Sequence, residues 1–428
     1  MPLRFEFSAL KLVYGGDALG YHQGRTILVP RILPGERAEV EETRTSKGVV
    51  YARPMRILQS ARERVNAPCP HFGRCGGCQY QHLAYENEVT AKREIFRETL
   101  RRLGKLTWDV EILVHAGPPW SYRNQAQLKV SSGPDGHVSL GFFEADSHRL
   151  HPVDACMILS PRLNTLLAEL RSSDWRSHLS KCQEIDLLAD DQDERVMLTV
   201  RTSAGTAGWE GFAREALGRL PGVVSIAIVC NGTLHRFGEA GIAYRVGEFR
   251  YRISPTSFFQ TSRYLLPELV ASVTGEEHGE VALDLFAGVG LFTLPLGRRF
   301  LRVHSVEAQP RAAADLETNV RDQGRGNIQT SGQSVFDFLR RYAQAPPDMV
   351  ILDPPRAGVG IKTLKLLLAA RPKRLHYVSC NPPTLARDLG FLVQQGYVIN
   401  SIELFDFFPQ TYHIESLARL ARNDLADL

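Results

Sequence analysis

Three groups of side chains in this chain have the types and spacing for chemistry. The first centres on a cysteine set in a proline-stiffened turn, Ser379-Cys380-Asn381-Pro382-Pro383. An apolar strand-like run, residues 375–378, leads into it, and a helical pattern begins near Thr384. In an open parallel α/β sheet, ligands sit in the crevice outside the carboxyl ends of the strands, which is where Cys380 falls. A lone cysteine is equally a good small core residue, so its reading depends on its company. Asp353 closes another apolar run, residues 349–352, ahead of two prolines. Glu415 ends the aromatic-rich segment 405–415 and supplies a carboxylate able to return to the same crevice. Taken alone, it is an ordinary surface acid.

The second group is Cys69-Pro70-His71-Phe72-Gly73-Arg74-Cys75-Gly76-Gly77-Cys78, three thiols within ten residues and three glycines among them. Such a loop suits a metal centre that takes a fourth thiol from elsewhere. Zinc usually takes two separated Cys-x-x-Cys pairs. An iron–sulfur cluster accepts three clustered ligands and one remote one. Cys156, Cys182 and Cys230 are the candidates for the fourth, Cys156 on a loop and Cys230 at the end of a core-like run.

The third group is the turn Asp284-Leu285-Phe286-Ala287-Gly288-Val289-Gly290-Leu291-Phe292. Thr293 stands where a dinucleotide fingerprint needs its third glycine. A glycine turn without a phosphate cradle fits S-adenosylmethionine better, and Glu307, ending the next strand, is placed for two ribose hydroxyls.

These groups must be held by the elements around them. From residue 257 strands and helices alternate: strands at 281–286, 302–307, 348–352 and 375–378, helices at 292–299, 310–323, 362–370 and 384–394. That is a doubly wound α/β sheet. Residues 3–58 read instead as short strands separated by Gly15-Gly16, Gly20, Gly24 and Pro34-Gly35, a small β-barrel or sandwich. With eleven Lys and Arg against seven Asp and Glu in residues 1–64, a nucleic-acid platform is one reading and a solvated surface the other. Residues 106–253 read as hairpins, one turning at Gly133-Pro134-Asp135-Gly136 and another around residues 190–193. A helix over residues 84–103 places Val89, Phe96, Leu100 and Leu103 on one face. Its other face, with Lys92, Arg93, Arg97, Arg101 and Arg102 among Glu88, Glu94 and Glu98, reads as solvated. The expected division is 1–60, 61–254 and 255–428, with helix 84–103 able to pack on the last.

The totals set bounds. A chain of 428 residues with 51 basic and 47 acidic side chains, net +4, permits a nucleic-acid partner without demanding one. No apolar run approaches the roughly 18 residues of a membrane span, and the N-terminal residues lack the apolar core of a signal peptide. Seven cysteines, an odd number, argue against a disulfide framework and for a reducing, cytoplasmic setting.

Taken together, Cys69…Cys75-Gly-Gly-Cys78, Cys156, Ser257-Phe258-Phe259-Gln260, Asp284…Gly290, Asp353-Pro-Pro-Arg-Ala-Gly358, Ser379-Cys-Asn-Pro382 and 408–415 occur in an order that resembles one family. It is that of the RNA (uracil-5-)-methyltransferases, in the branch with an N-terminal TRAM barrel and a four-iron cluster, the type forming 5-methyluridine in 23S rRNA. The resemblance spans nearly the whole chain. It implies a C-terminal Rossmann-like S-adenosylmethionine-dependent domain, an N-terminal OB-like barrel and a central α+β iron–sulfur domain. By position it makes Cys380 the nucleophile and Glu415 the general base. Gln260, Phe286, Leu291, Glu307, Gln333 and Asp353 become cofactor contacts. Cys69, Cys75, Cys78 and Cys156 become ligands of a [4Fe-4S] cluster. Leu291 and Gln333 depart from the family pattern, asparagine being usual at the first and asparagine or aspartate at the second. The Asp353-Pro-Pro loop carries no second cysteine, which disfavours cytosine as the target.

The implied chemistry is addition of a thiolate at C6 of uracil, methylation at C5, and removal of the C5 proton so that the cysteine can leave. The base must first leave its stack, at a cost of roughly a few kcal/mol. Phe258, Phe259 or Tyr412 are aromatic candidates to stack on bases. The partner implied is RNA, 23S rRNA ahead of tRNA, with no membrane association and a monomeric enzyme. The rival reading is a non-catalytic RNA-binding factor on the same scaffold.

Overall fold

The alternating apolar runs and amphipathic helices of the C-terminal third build one eight-stranded sheet. A computed structural model describes residues 3–133, 137–205 and 208–425 of the chain. In spatial order the strands are Ile328–Ser331, Phe300–Val306, Gly279–Leu285, Met349–Leu352, Arg374–Ser379, Glu415–Arg422, Tyr397–Phe405 and Leu113–His115. The first five run parallel, and Glu415–Arg422 lies antiparallel to both its neighbours. From Gly279–Leu285 the chain winds first to one side and later to the other, so a crevice opens above that strand and Met349–Leu352. The eighth strand comes from far upstream: Leu113–His115 pairs with Glu403–Phe405. His115 fixes it there, its ring nitrogens 2.6 Å from Glu268 and 2.9 Å from Glu403, while the ring stacks on Phe405.

The N-terminal segment forms a six-stranded sheet over residues 4–59, including a strand, Asp17–His22, that the sequence reading left as a turn region. Its glycines hid it, because Gly20 sits where no side chain fits. A Cβ there would lie 2.3 Å from the Ser8 carbonyl oxygen and 2.7 Å from the Phe7 ring. That close approach curls the sheet back on its first strand. Much of the positive charge is paired within the segment: Arg4 and Arg53 on Glu41, Arg37 on Glu6, Arg64 on Glu36. Arg31, Arg44 and Arg53, with Arg74 and Arg149, line a polar groove of about 350 Å³ that also holds Asp17, Glu144 and Asp146.

Residues 125–238 form a separate seven-stranded sheet packed by helices Pro161–Leu170 and Trp209–Arg219 around its own apolar cluster. Its strands Gln125–Ser132 and Val138–Phe143 pair antiparallel; of the expected turn between them, Pro134, Asp135 and Gly136 lie outside the described residues. Among the described residues no helix is long and apolar enough to cross a membrane.

The helix expected over 84–103 runs Tyr85–Thr99 and ends in a π-turn, Leu100–Gly104, and its polar face is not simply solvated. Glu88 and Lys92 are buried, at 0% and 3% exposure, whereas Leu103 is 56% exposed. Lys92 Nζ lies 2.7 Å from Glu88, 2.7 Å from Asp406, and donates to the Phe408 carbonyl at 3.0 Å. Tyr85 donates to Asp406 at 2.8 Å, and the Gln410 amide donates to Glu88 at 2.8 Å. Burial works against the ammonium, but Asp406 and Glu88 outweigh it and hold Lys92 above its ordinary value. The alternating charges looked solvated because i,i+4 Glu–Lys pairs usually are; here a loop 314 residues downstream covers one of them.

Removing the cation leaves two carboxylates facing each other without solvent. Lys92→Met should therefore destabilise the protein by ~3–5 kcal/mol, read from denaturant midpoints at unchanged slope.

Candidate active site

Strand Arg374–Ser379 delivers Cys380 to the carboxyl edge of the sheet, and its antiparallel neighbour begins at Glu415. Ser379 pairs with Ser416, so continuing the register by one residue sets Cys380 and Glu415 across from each other. Ser416 Oγ donates to the Ser379 carbonyl at 3.0 Å and locks that end of the ladder. The turn after Cys380 is held by Asn381, whose amide donates to Ser379 Oγ at 3.1 Å and whose Nδ2 donates to the Arg356 carbonyl at 2.7 Å. Pro382 and Pro383 then open helix Pro382–Gln394 in its first turn, where a missing N–H costs nothing. The Asp353–Arg356 loop is thereby fastened to the cysteine turn. Asp388 holds its far end, accepting from the Val359 amide at 3.0 Å and Tyr377 at 2.7 Å.

The segment before Glu415 is fixed from the other side. Gln410 has φ 69°, a left-handed conformation that a residue with a Cβ rarely keeps without support. Support comes from its amide on Glu88 and from its carbonyl, which accepts from Gln79 at 2.8 Å and Tyr80 at 3.0 Å. Tyr122 donates to the Pro409 carbonyl at 3.0 Å.

The expected cofactor positions surround the crevice. Phe286 has φ 68° and Gly288 and Gly290 have φ 56° and 95°, so the backbone turns sharply beneath the crevice. At Gly290 it is the positive φ that favours glycine; a Cβ there would lie 2.8 Å from the tip of the Leu316 side chain, which could give way. Glu307 accepts from the Gly288 amide at 2.9 Å and the Gln309 amide at 2.7 Å. Gln333 donates to Ser331 at 2.7 Å. Leu291 points into the core at 6% exposure, and its carbonyl accepts from Tyr251 at 2.9 Å. Gln260 is buried on a segment anchored through Ser254 and Ser257 to the carboxylate of Asp315. Of the two neighbouring aromatics, Phe259 is core, packed on Tyr244, and unable to stack on a base; Phe258 is 67% exposed.

Electrostatics bind these pieces into one site. Burial, then Glu415 and Asp353, push the Cys380 thiol up to about 11, and Arg356 pulls the other way. Burial, then Asp353, hold the Glu415 carboxyl well above the usual range, again opposed by Arg356. Burial, then Asp284 and Glu307, raise Asp353 to about 7. Asp284 also rises to about 7, by burial and Glu307, against a 2.5 Å hydrogen bond from Thr293. The crevice thus gathers three carboxylates, a surrounding that favours a cationic ligand. Burial thus favours the protonated form of both the thiol and Glu415. Burial, with Arg356 and Arg123, lowers His413 to about 4, so it stays neutral beside them.

Asp284 and Arg356 were read only as parts of motifs, and His413 and Tyr14 not at all as functional. Asp284 was findable, as an acid inside an apolar strand. Tyr14 carried no local signal, because its place is set by tertiary packing.

The four expected cluster cysteines meet elsewhere. Cys69, Cys75, Cys78 and Cys156 line one cavity of about 220 Å³, with Arg123 and Phe142 in its wall. Cys182 and Cys230 are buried in the seven-stranded sheet. Among the described residues no three His, Cys, Asp or Glu side chains stand close enough to share a single metal ion. Four thiols spread around a void match a polynuclear centre better than one tetrahedral zinc. The Gly77 amide already donates to Cys75 Sγ at 3.4 Å.

Residues 84–423 match the tRNA (Uracil-5-)-methyltransferase family. The chain is 34% identical over 435 residues to the 23S rRNA (uracil(1939)-C(5))-methyltransferase RlmD of Alkalilimnicola ehrlichii, covering 98% of this chain and 96% of that one. It is 32% identical over 421 residues to an uncharacterized RNA methyltransferase of Aquifex aeolicus, covering 97% of each. Among solved structures it resembles the Pyrococcus abyssi tRNA (uracil-54, C5)-methyltransferase in complex with S-adenosyl-L-homocysteine. There the TM-score is 0.75 at 26% identity, over 98% of this chain and 100% of that one.

Because Arg356 stabilises the thiolate over the thiol, its loss must raise the Cys380 pKa further. In the wild type, iodoacetamide alkylation of Cys380, followed by peptide mass mapping, should climb about tenfold per pH unit up to pH about 11. Arg356→Gln should shift that curve to higher pH and slow alkylation at pH 8 by about three- to tenfold.

Proposed function

We propose, from the family to which this chain belongs, the tRNA (uracil-5-)-methyltransferases, that Cys380 and Glu415 methylate C5 of a uridine in RNA through a covalent adduct. Membership itself makes the chain an RNA (uracil-5-)-methyltransferase that uses S-adenosylmethionine. The proposal concerns how it works and on what. The observation that carries it is the placement of a thiol and a carboxyl on facing residues of one strand pair, above the crevice.

The Cys380 thiolate adds to C6 of the extruded uracil, and the C5–C6 π electrons move onto the C4 carbonyl as an enolate. Bound S-adenosylmethionine would supply an electrophilic methyl group on a positive sulfonium, whose S–CH3 bond breaks to leave a neutral thioether as C5 becomes tetrahedral. The Glu415 carboxylate then removes the C5 proton, the electron pair re-forms C5=C6, and the Cys380 thiolate departs. Cys380 and Glu415 give up their protons to solvent before the addition; Glu415 ends holding the C5 proton and the departing thiolate takes one back from solvent, so each turnover releases one proton. Burial favours the neutral forms of the thiol and Glu415, which works against two adjoining buried charges in the free enzyme. Arg356 acts on both in the other direction and is the residue that assists their ionisation. The cofactor's positive charge would meet Asp284, Glu307 and Asp353, while Phe286, Gln260 and Gln333 would complete its walls and Leu291, its side chain in the core, would contribute backbone alone.

The 34% relative that spans this chain favours 23S rRNA as the target. A second reading, tRNA, is supported by the likeness to the Pyrococcus abyssi enzyme. The N-terminal sheet serves as a TRAM-like RNA platform, and the groove of Arg31, Arg44, Arg53, Arg74 and Arg149 takes phosphate. Cys69, Cys75, Cys78 and Cys156 would hold a [4Fe-4S] cluster that staples the central region and shapes the RNA groove.

Glu415→Gln should methylate once and stall, leaving a Cys380-linked RNA band that survives denaturing electrophoresis. Absence of that band, with full 5-methyluridine formation, would remove Glu415 from the mechanism. Nucleoside mapping in cells with and without the gene should show 5-methyluridine lost from 23S rRNA; loss from tRNA instead selects the second reading. Cys75→Ser should lose iron and weaken RNA binding, and a variant that lost iron yet bound and methylated normally would overturn the staple.

A further inference from the structure

One side chain of the N-terminal segment packs on the stretch that leads to Glu415 and shares a cavity wall with the cysteine turn. Tyr14 lies in a turn whose depth is set by Gly16, with φ 96°. A Cβ on Gly16 would lie 2.9 Å from Gln79 Cβ and 3.6 Å from Tyr412 Cβ, so the turn is seated directly on the segment that leads to Glu415. The Tyr14 ring meets Tyr412 edge-on, centroids 5.5 Å apart and planes at 89°. On its other side Tyr14 shares the wall of a cavity of about 280 Å³ with Pro383, of the cysteine turn, and with Ile95 and Leu103. It therefore stands between the limb carrying Cys380 and the limb carrying Glu415. No hydrogen bond to or from its hydroxyl occurs among the described residues, although Arg356, Cys380 and Glu415 are all within electrostatic reach. Burial first, then Tyr412, push the phenol up to about 12, so it remains a neutral donor at physiological pH.

A pyrimidine seated between Cys380 and Glu415 brings two carbonyl oxygens into a partly buried space. Leaving such an acceptor without a donor costs about 1–3 kcal/mol, and more once addition at C6 turns one oxygen into an enolate. We propose that Tyr14 contacts the substrate, donating a hydrogen bond from its hydroxyl to a carbonyl oxygen of the uracil held by Cys380 and Glu415. This rests on the reading of the site as a uridine pocket. It gives the N-terminal sheet a part in the reaction beyond holding RNA backbone: the pocket is complete only when that domain is docked.

The test uses the full chain, its mapped RNA substrate and single-turnover methylation. Tyr14→Phe keeps the ring and its contact with Tyr412 and removes only the hydroxyl. It should slow methyl transfer by about 10–100-fold, with RNA affinity and thermal unfolding unchanged. Placing 4-thiouridine or 2-thiouridine at the target weakens one carbonyl acceptor at a time, and one of them should abolish most of the difference between wild type and Tyr14→Phe. A Tyr14→Phe enzyme as fast as wild type, or a penalty that persists with both thio substitutions, overturns the proposal. A wild-type protein that makes no 5-methyluridine in any RNA overturns the uridine reading itself, which separates the two failures.

Discussion

The active site depends on a buried ammonium. Lys92, on a helix that precedes the catalytic sheet by almost two hundred residues, sits between Glu88 and Asp406 and also holds the Phe408 carbonyl. A segment with two aromatics, a proline and a left-handed glutamine has little reason to stay in place on its own. Buried ion networks contribute little net stability when complete, because desolvation consumes most of the attraction, but they are costly when broken. That asymmetry suits a positioning role. The network makes one arrangement of residues 406–410 acceptable and alternatives expensive, and Glu415 follows a few residues later on the strand that this arrangement launches.

From there the geometry follows from sheet pairing. An antiparallel strand beside the cysteine strand puts facing residues at roughly 5 Å between Cα atoms, so a thiol and a carboxyl can be matched by register alone. The register is held by Ser416 on Ser379. The cost of that closeness is electrostatic. A thiolate and a carboxylate side by side in a desolvated site repel, and burial here favours the protonated form of each while Arg356 opposes it. The Asn381 and Thr384 hydrogen bonds to the Arg356 carbonyl make the cysteine turn and the arginine loop move as one body.

What could be read beforehand divides along the same line. The placement of Cys380, Asp353, Glu307 and the 284–290 turn at strand ends was legible because proline or glycine marks where each strand stops. The α/β alternation was legible for the same reason. Lys92 and Glu88 were not, since a helix with alternating charges looks the same whether water or a distant loop covers it. Leu113–His115 was hidden because three residues carry no period. Phe258 and Phe259 form an adjacent pair of one residue type with opposite fates, exposed and core, and only the packing against Tyr244 tells them apart.

The cysteine cavity and the candidate active site are joined through two backbone hydrogen bonds. Cys78 is followed at once by Gln79 and Tyr80, whose amides both bind the Gln410 carbonyl. The Gln79 carboxamide also accepts from the Tyr412 amide at 3.4 Å and donates to the Gly76 carbonyl at 2.9 Å. A shift of the cysteine loop would therefore pull directly on the strained residue that Lys92's network supports from the opposite side. Two independent clamps on one glutamine, one ionic and one attached to the thiol loop, make the segment leading to Glu415 responsive to whatever orders that loop, through the two backbone hydrogen bonds that separate Gln410 from it.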